Sequence, residues 1–153
     1  MTSTVARLRG IHPGWILVVL DLVALAIAGY LASVELGGGV PYCGALHGCE
    51  TVAQSEYSRI AGIPVAVYGV VASLVLLALA LAWIRTDRAV LLDLSYGLSL
   101  IGVLFEAYFV FLQVFVIHAL CIWCSAYGLT MVARLGVTWW ARRSRGRDAG
   151  RTP

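Results

Sequence analysis

Lysine is absent from this 153-residue chain and acidic residues number only eight, so charged residues make up 12% of it. A soluble domain carries about 25% charged residues, and disordered segments are poor in apolar ones, so 61% hydrophobic composition excludes both. Proline is scarce too: there are four, and none falls between Ala89 and Ala133. No internal repeat is present, and no low-complexity stretch beyond an arginine-rich tail. What remains is a membrane protein. Four spans of about 20 residues would use about 80 residues and leave about 70 for loops and termini, which excludes a large extramembrane enzyme.

Residues 15–34 carry one charge, Asp21, and residues 64–84 carry none; both runs are long enough to cross a bilayer. A cleaved signal peptide competes for the first run, behind Arg7 and Arg9, but the run exceeds the usual apolar core of about 7–15 residues. Residues 89–133 form one apolar stretch broken by Asp93 and Glu106. As a single helix it would reach about 67 Å against about 30 Å of hydrocarbon, so it must turn back. Polarity places that turn near His118, predicting spans at 94–115 and 119–140.

The arginines agree with an even number of crossings. Arg7, Arg9, Arg85, Arg88, Arg142, Arg143, Arg145, Arg147 and Arg151 then share the cytoplasmic side with both termini. Positive-inside orientation accounts for this basic charge without invoking nucleic acid. Trp139 and Trp140 read as an interfacial belt, with Arg134 near enough to snorkel. The expected architecture is an all-α bundle of four transmembrane helices in one domain, 1–141, followed by a basic cytoplasmic tail, 142–153. One large extracytoplasmic loop, 35–63, opens on Gly37–Gly39 and closes on Gly62-Ile63-Pro64, with a short interfacial helix expected over 51–60.

Four cysteines fall at one membrane face. Cys43 and Cys49 lie in the outer loop, and Cys121 and Cys124 form Cys-Ile-Trp-Cys after the second outer turn. Core-filling cysteines would scatter with depth. The loop pair is open to a structural disulfide reading. The second pair fits that less well, because residues i and i+3 of a helix hold their Cβ atoms about 5–6 Å apart, wider than a relaxed disulfide wants. A thiolate is favoured at a helix start, where Cys121 falls. Two pairs at one face suit a relay by thiol–disulfide exchange. With no Cys or His cluster for iron or haem, the terminal acceptor indicated is a lipid-soluble quinone.

The segments Cys43-Gly44-Ala45-Leu46-His47-Gly48-Cys49, Ser55-Glu56-Tyr57, Gly62-Ile63-Pro64-Val65-Ala66-Val67-Tyr68-Gly69 and Cys121-Ile122-Trp123-Cys124 together resemble a bacterial, disulfide-forming member of the vitamin K epoxide reductase family. The resemblance covers about Tyr30 to Met131. It implies a four-helix bundle around a quinone (menaquinone or ubiquinone) and a separate thioredoxin-like (DsbA-like) extracytoplasmic partner in the inner or plasma membrane. It implies catalytic Cys43, Cys49, Cys121 and Cys124: Cys43 meets the partner, Cys49 exchanges with Cys121, and Cys124 delivers electrons to the ring. Ser55 matches a hydroxyl residue able to bond a quinone oxygen. The animal epoxide reductases carry tyrosine four residues after the second motif cysteine, whereas this chain has Gly128 there and Tyr127 one position early. That departure bears on epoxide reduction and leaves quinone reduction untouched.

Other residues admit two readings. Tyr127, at i+3 from Cys124, is a candidate quinone contact or an interfacial aromatic. Glu106 lies inside the third span, where an ionised carboxylate costs about 2.5–3.5 kcal/mol, and is a candidate proton relay to the quinone or a hydrogen-bonded bundle residue. His47 reads as a solvated loop residue or a thiolate neighbour, and His118 as a turn marker or a tuner of Cys121. Three rival functions stand beside the relay. A DsbB-type oxidase of another family would place its C-x-x-C early in the chain. A metal-binding protein would use Cys43, His47, Cys49, Cys121 and Cys124. A structural tetraspan protein would use the cysteines only as staples.

Overall fold

In a computed structural model, residues 12–44 and 48–149 are described, the side chains of 147–149 excepted. Four long helices carry the fold: α1 (Pro13–Leu36), α3 (Val65–Thr86), α4 (Ala89–Phe111) and α5 (Ile122–Ala149); α2 (Gly48–Ala53) is short. A π-helical segment, Leu112–Ile117, extends α4. The stretches Pro13–Leu36, Val65–Thr86 and Ala89–Ile117 are long and apolar enough to cross a membrane. This is an all-helical membrane protein.

The ends of these helices follow from local chemistry. His12 caps α1, its Nδ1 accepting from the Gly14 N–H at 3.1 Å, and Pro13 occupies the first turn, where a missing N–H costs nothing. Asp87, in the left-handed conformation, donates its N–H to the Trp83 carbonyl at 2.8 Å and closes α3. Only Asp87 and Arg88 separate α3 from α4, so these helices run antiparallel. His118, also left-handed at φ 55°, ends the π-helical segment, and its side chain is exposed.

The four helices pack in a ring in the order α1, α3, α4, α5, each against two neighbours. Small residues let backbones approach: Gly69 of α3 lies where a Cβ would stand 3.3 Å from the Ala28 Cβ of α1. Leu17, Ala80, Trp83 and Leu92 fill one end of the ring, and Ala24, Leu76 and Met131 its middle.

Between those layers lies a charged node. Arg134 is fully buried, so it does not snorkel to the interface. Its Nε donates to Asp21 Oδ1 at 2.5 Å, and Nη2 donates to Asp21 Oδ2 at 3.2 Å, the Leu76 carbonyl at 3.1 Å and Ser95 Oγ at 3.1 Å. Nη1 donates to Ser99 Oγ at 2.5 Å and to the Ser95 carbonyl at 3.4 Å. One guanidinium therefore ties all four long helices, and the same contacts satisfy Asp21. At the Trp83 end, Arg145 pairs with exposed Asp87, and Arg142 bonds Asp93 at 2.6 Å.

The connection from α1 to α3 differs from the expected interfacial helix at 51–60. The helix comes earlier, at Gly48–Ala53, followed by a 3-10 turn, Glu56–Ser58. Arg59–Ile60 (β1) and Ile63–Pro64 (β2) then pair antiparallel, Ile60 with Ile63. Ala61 and Gly62 have φ of 52° and 81°, the twist a two-residue hairpin needs, so the chain reverses there and cannot continue as helix.

Candidate active site

All four cysteines meet in one cluster at the end of the ring opposite Trp83. Cys49, Val52 and Cys121 form its buried part, with Cys43, Ile117, Trp123 and Cys124 packed around them. Cys43 and Cys49 are joined as a disulfide with Cα atoms 5.7 Å apart. Cys43 is half-buried, while Cys49 and Cys121 are fully enclosed. Sulfur thus leads stepwise from the surface inward.

Gly48 makes this meeting possible. A Cβ on Gly48 would overlap the carbonyl group of Leu120, so only glycine lets α2 lie against the backbone that leads into Cys121. A second clamp acts beside Cys43. The Trp123 Nε1–H donates to the Tyr42 carbonyl at 3.0 Å, and the Tyr42 N–H donates to the Tyr30 hydroxyl at 3.2 Å. The Tyr30 and Trp123 rings lie 4.9 Å apart, so the tryptophan inside Cys-Ile-Trp-Cys holds the residue next to Cys43.

Cys121 precedes α5 and caps it. Its carbonyl accepts from Ser125 N at 2.9 Å, and its Sγ accepts from Cys124 N at 3.2 Å. Cys121 thus stands one position ahead of the helix rather than within it, and its sulfur lies against that of Cys124, both free thiols. An N–H donor and the positive end of a helix dipole both favour negative charge on Cys121 sulfur.

The inner pair borders a cavity of about 330 Å3 whose wall is mostly apolar and includes Cys49, Cys121, Cys124, Glu106, Gln113 and Tyr127. That volume falls within the range of about 300–1,000 Å3 typical of small-molecule pockets. Glu106 packs on Gly128, where a Cβ would come within 2.6 Å of its Cγ, and its buried Oε1 has no partner among the described residues. The glycine that departs from the animal tyrosine position thus makes room for a carboxyl group. Tyr127 is on the wall, but its hydroxyl is engaged by the Gly69 carbonyl and Ser73 Oγ, each at 3.3 Å.

Ser55 is not brought to this cavity. It borders a separate, more open depression with Glu50 and Tyr57, its Oγ donating to the Val52 carbonyl at 2.7 Å. Ser58, three residues on, does reach the main wall, because the 3-10 turn redirects the chain. Glu35 and Gln113 also line it and were not singled out from sequence; for Gln113 the available signal was a lone amide in an apolar run eight residues before Cys121. His47 lies outside the described residues. Among those described, no three His, Cys, Asp or Glu side chains converge as a metal site.

Helices fit for a bilayer, a disulfide stacked on a second cysteine pair and an adjoining apolar cavity define a membrane protein built around sulfur chemistry. Residues 15–139 match the vitamin K epoxide reductase family, and the chain belongs to it. It is accordingly a membrane thiol–disulfide oxidoreductase, of a family that uses quinones and generally pairs with thioredoxin-like proteins. No match to the chain is found among curated proteins.

The cavity suits a quinone on its own chemistry. An apolar wall takes a flat ring, Cys124 offers sulfur at its edge, and the unpaired Glu106 oxygen offers a polar contact.

Proposed function

We propose that this protein reoxidises a separate thioredoxin-like protein and passes the electrons to a membrane quinone, so supporting disulfide formation outside the cytoplasm. The observation that carries this reading is the stacking of all four cysteines in one cluster that ends at an apolar cavity. The bundle crosses the membrane four times, with both termini in the cytoplasm and the cysteines at the extracytoplasmic face. The distribution of arginine supports that orientation, since Arg85, Arg88, Arg142, Arg143 and Arg145 belong to the end of the ring remote from the cysteines.

The partner's thiolate attacks Cys43 sulfur, and Cys49 leaves as a thiolate. Cys49 then attacks Cys121 of an oxidised Cys121–Cys124 pair, freeing Cys124 as a thiolate at the cavity. The partner's second thiol resolves its bond to Cys43, and Cys43 closes again on Cys49, releasing Cys121. Two electrons and two protons have then moved from the partner to the inner pair. A bound quinone supplies the acceptor for both. Cys124, Glu106 and Tyr127 line the cavity that would hold the ring, so sulfur and a carboxyl group able to carry a proton would lie beside it.

The test is anaerobic mixing of purified full-length protein, a reduced thioredoxin-like substrate and a soluble quinone, following quinol absorbance and substrate thiols together. One quinol formed per substrate disulfide is expected. Substrate oxidation without quinol, or stoichiometric zinc in place of a redox-active pair, would reject the reading.

A further inference from the structure

Gln113 lies in the π-helical segment and is 1% exposed. Its amide is used on one side only. Oε1 accepts from the Cys121 backbone N–H at 2.8 Å, whereas Nε2 is buried with no partner among the described residues. Chemistry sets which amide atom is which, since a backbone N–H can bond only to the oxygen. The Gln113 carbonyl also accepts from the His118 N–H and from Ala119 N at 3.0 Å. Backbone and side chain together hold the 118–121 turn.

That turn delivers Cys121 to the start of α5. The sulfur receives the Cys124 N–H only while the Cys121 backbone keeps the capping conformation. We propose that Gln113 is a positioning residue: by holding the Cys121 N–H it keeps Cys121 sulfur over the Cys124 N–H and thereby sets the reduction potential of the Cys121–Cys124 couple. The couple takes up two electrons and two protons as its S–S bond becomes two thiols. A donor to sulfur favours that reduced form and makes the couple more oxidising. Without the Gln113 oxygen, the buried Cys121 N–H loses its acceptor at a cost comparable to the hydrogen bond itself, and the cap loosens. The π-helical turn is what aims the amide: a regular helical continuation would rotate residue 113 by a different angle relative to Cys121.

This inference rests on Cys121 and Cys124 being a redox couple. The test uses the full chain with Cys43→Ala and Cys49→Ala, equilibrated in dithiothreitol redox buffers, with thiols counted by mass spectrometry after alkylation. Gln113→Met, which keeps the length and removes the acceptor, should lower the equilibrium constant for reduction about tenfold, making the couple about 30 mV more reducing. Leu112→Ala, a buried neighbour outside this contact, should lower the thermal midpoint and leave the constant within twofold. A Gln113→Met couple within twofold of the parent overturns the proposal. An inner pair that never equilibrates with the buffer overturns instead the functional reading beneath it.

A second measurement needs no change at residue 113. Gln54 and Gln113 are the only glutamines, so side-chain 15N labelling gives two amide signals, assigned with exposed Gln54→Ala. The Gln113 signal should move between the oxidised and reduced inner pair. A signal indifferent to redox state refutes the positioning role.

Discussion

Gly48 lies flush against Leu120: a Cβ at Gly48 would stand 2.9 Å from the Leu120 carbonyl carbon and 3.1 Å from its nitrogen. This backbone contact, between an outer loop and the turn before α5, is what packs Cys49 on Cys121.

Gly48→Ala should therefore break the transfer between pairs rather than either pair. Quinol formation driven by the thioredoxin-like protein is expected to fall more than about tenfold, because sulfur exchange needs close alignment of the attacking and leaving sulfurs. A small dithiol that reaches the inner pair directly should restore most of the rate. Equal loss with both reductants would place the defect elsewhere.

Cys124→Ala should abolish quinone reduction; Cys121, then a lone thiol, should attack Cys49 of the loop disulfide and release Cys43 as a thiol, giving a Cys49–Cys121 bond visible as a cross-linked peptide under non-reducing digestion. Cys43→Ala should stop the protein substrate while a small dithiol still drives quinol formation. Normal quinone reduction without Cys124 would overturn its assignment.

Gly128→Ala should displace Glu106, since no space exists for a methyl group beside the carboxyl. Quinone reduction is expected to slow about tenfold or more, with partner oxidation by the loop pair unchanged in a single turnover. Glu106→Gln keeps the size and removes the proton, so it should slow the quinone step by about 10²-fold if general acid assistance acts there. Stopped-flow traces of the two half-reactions separate these outcomes.

Arg134→Ala should be the most destabilising of these changes. It leaves Asp21 buried without a partner and removes hydrogen bonds reaching the other three long helices, a loss of about 3–5 kcal/mol for a broken buried pair. Asp21→Asn combined with Arg134→Met should recover part of that loss by removing the uncompensated charge. Arg142→Ala, whose pair with Asp93 is exposed to solvent, should cost less than about 1 kcal/mol. Thermal unfolding in detergent checks the ranking.

Much of the helical architecture was legible because apolar runs of bilayer length leave the backbone few alternatives. The cysteine pattern was legible as well, since paired spacing and flanking residues carry the family resemblance that the match over residues 15–139 bears out. Arg134 was misread, because its position near the end of an expected span said nothing of the Asp21, Ser95 and Ser99 that two other helices bring to it. Ser55 was placed by resemblance; in the structure it borders a separate depression, while Ser58 reaches the main cavity after the short α2 helix and the 3-10 turn. Trp123 and Gln113 were passed over for one reason: each acts through a hydrogen bond to the backbone of a distant residue, which spacing does not reveal.

Composition alone settled that this chain belongs in a bilayer as helices, because 61% hydrophobic residues in long runs must satisfy their backbone polar groups internally. Cysteine spacing set two sulfur pairs into the sequence. Only the tertiary structure decided that a glycine would let one backbone rest on another beside those pairs, that a buried arginine would tie the ring, and that a glutamine would hold the cap of the last helix. Those are contacts between segments far apart in the chain, and they come into being only when the helices pack.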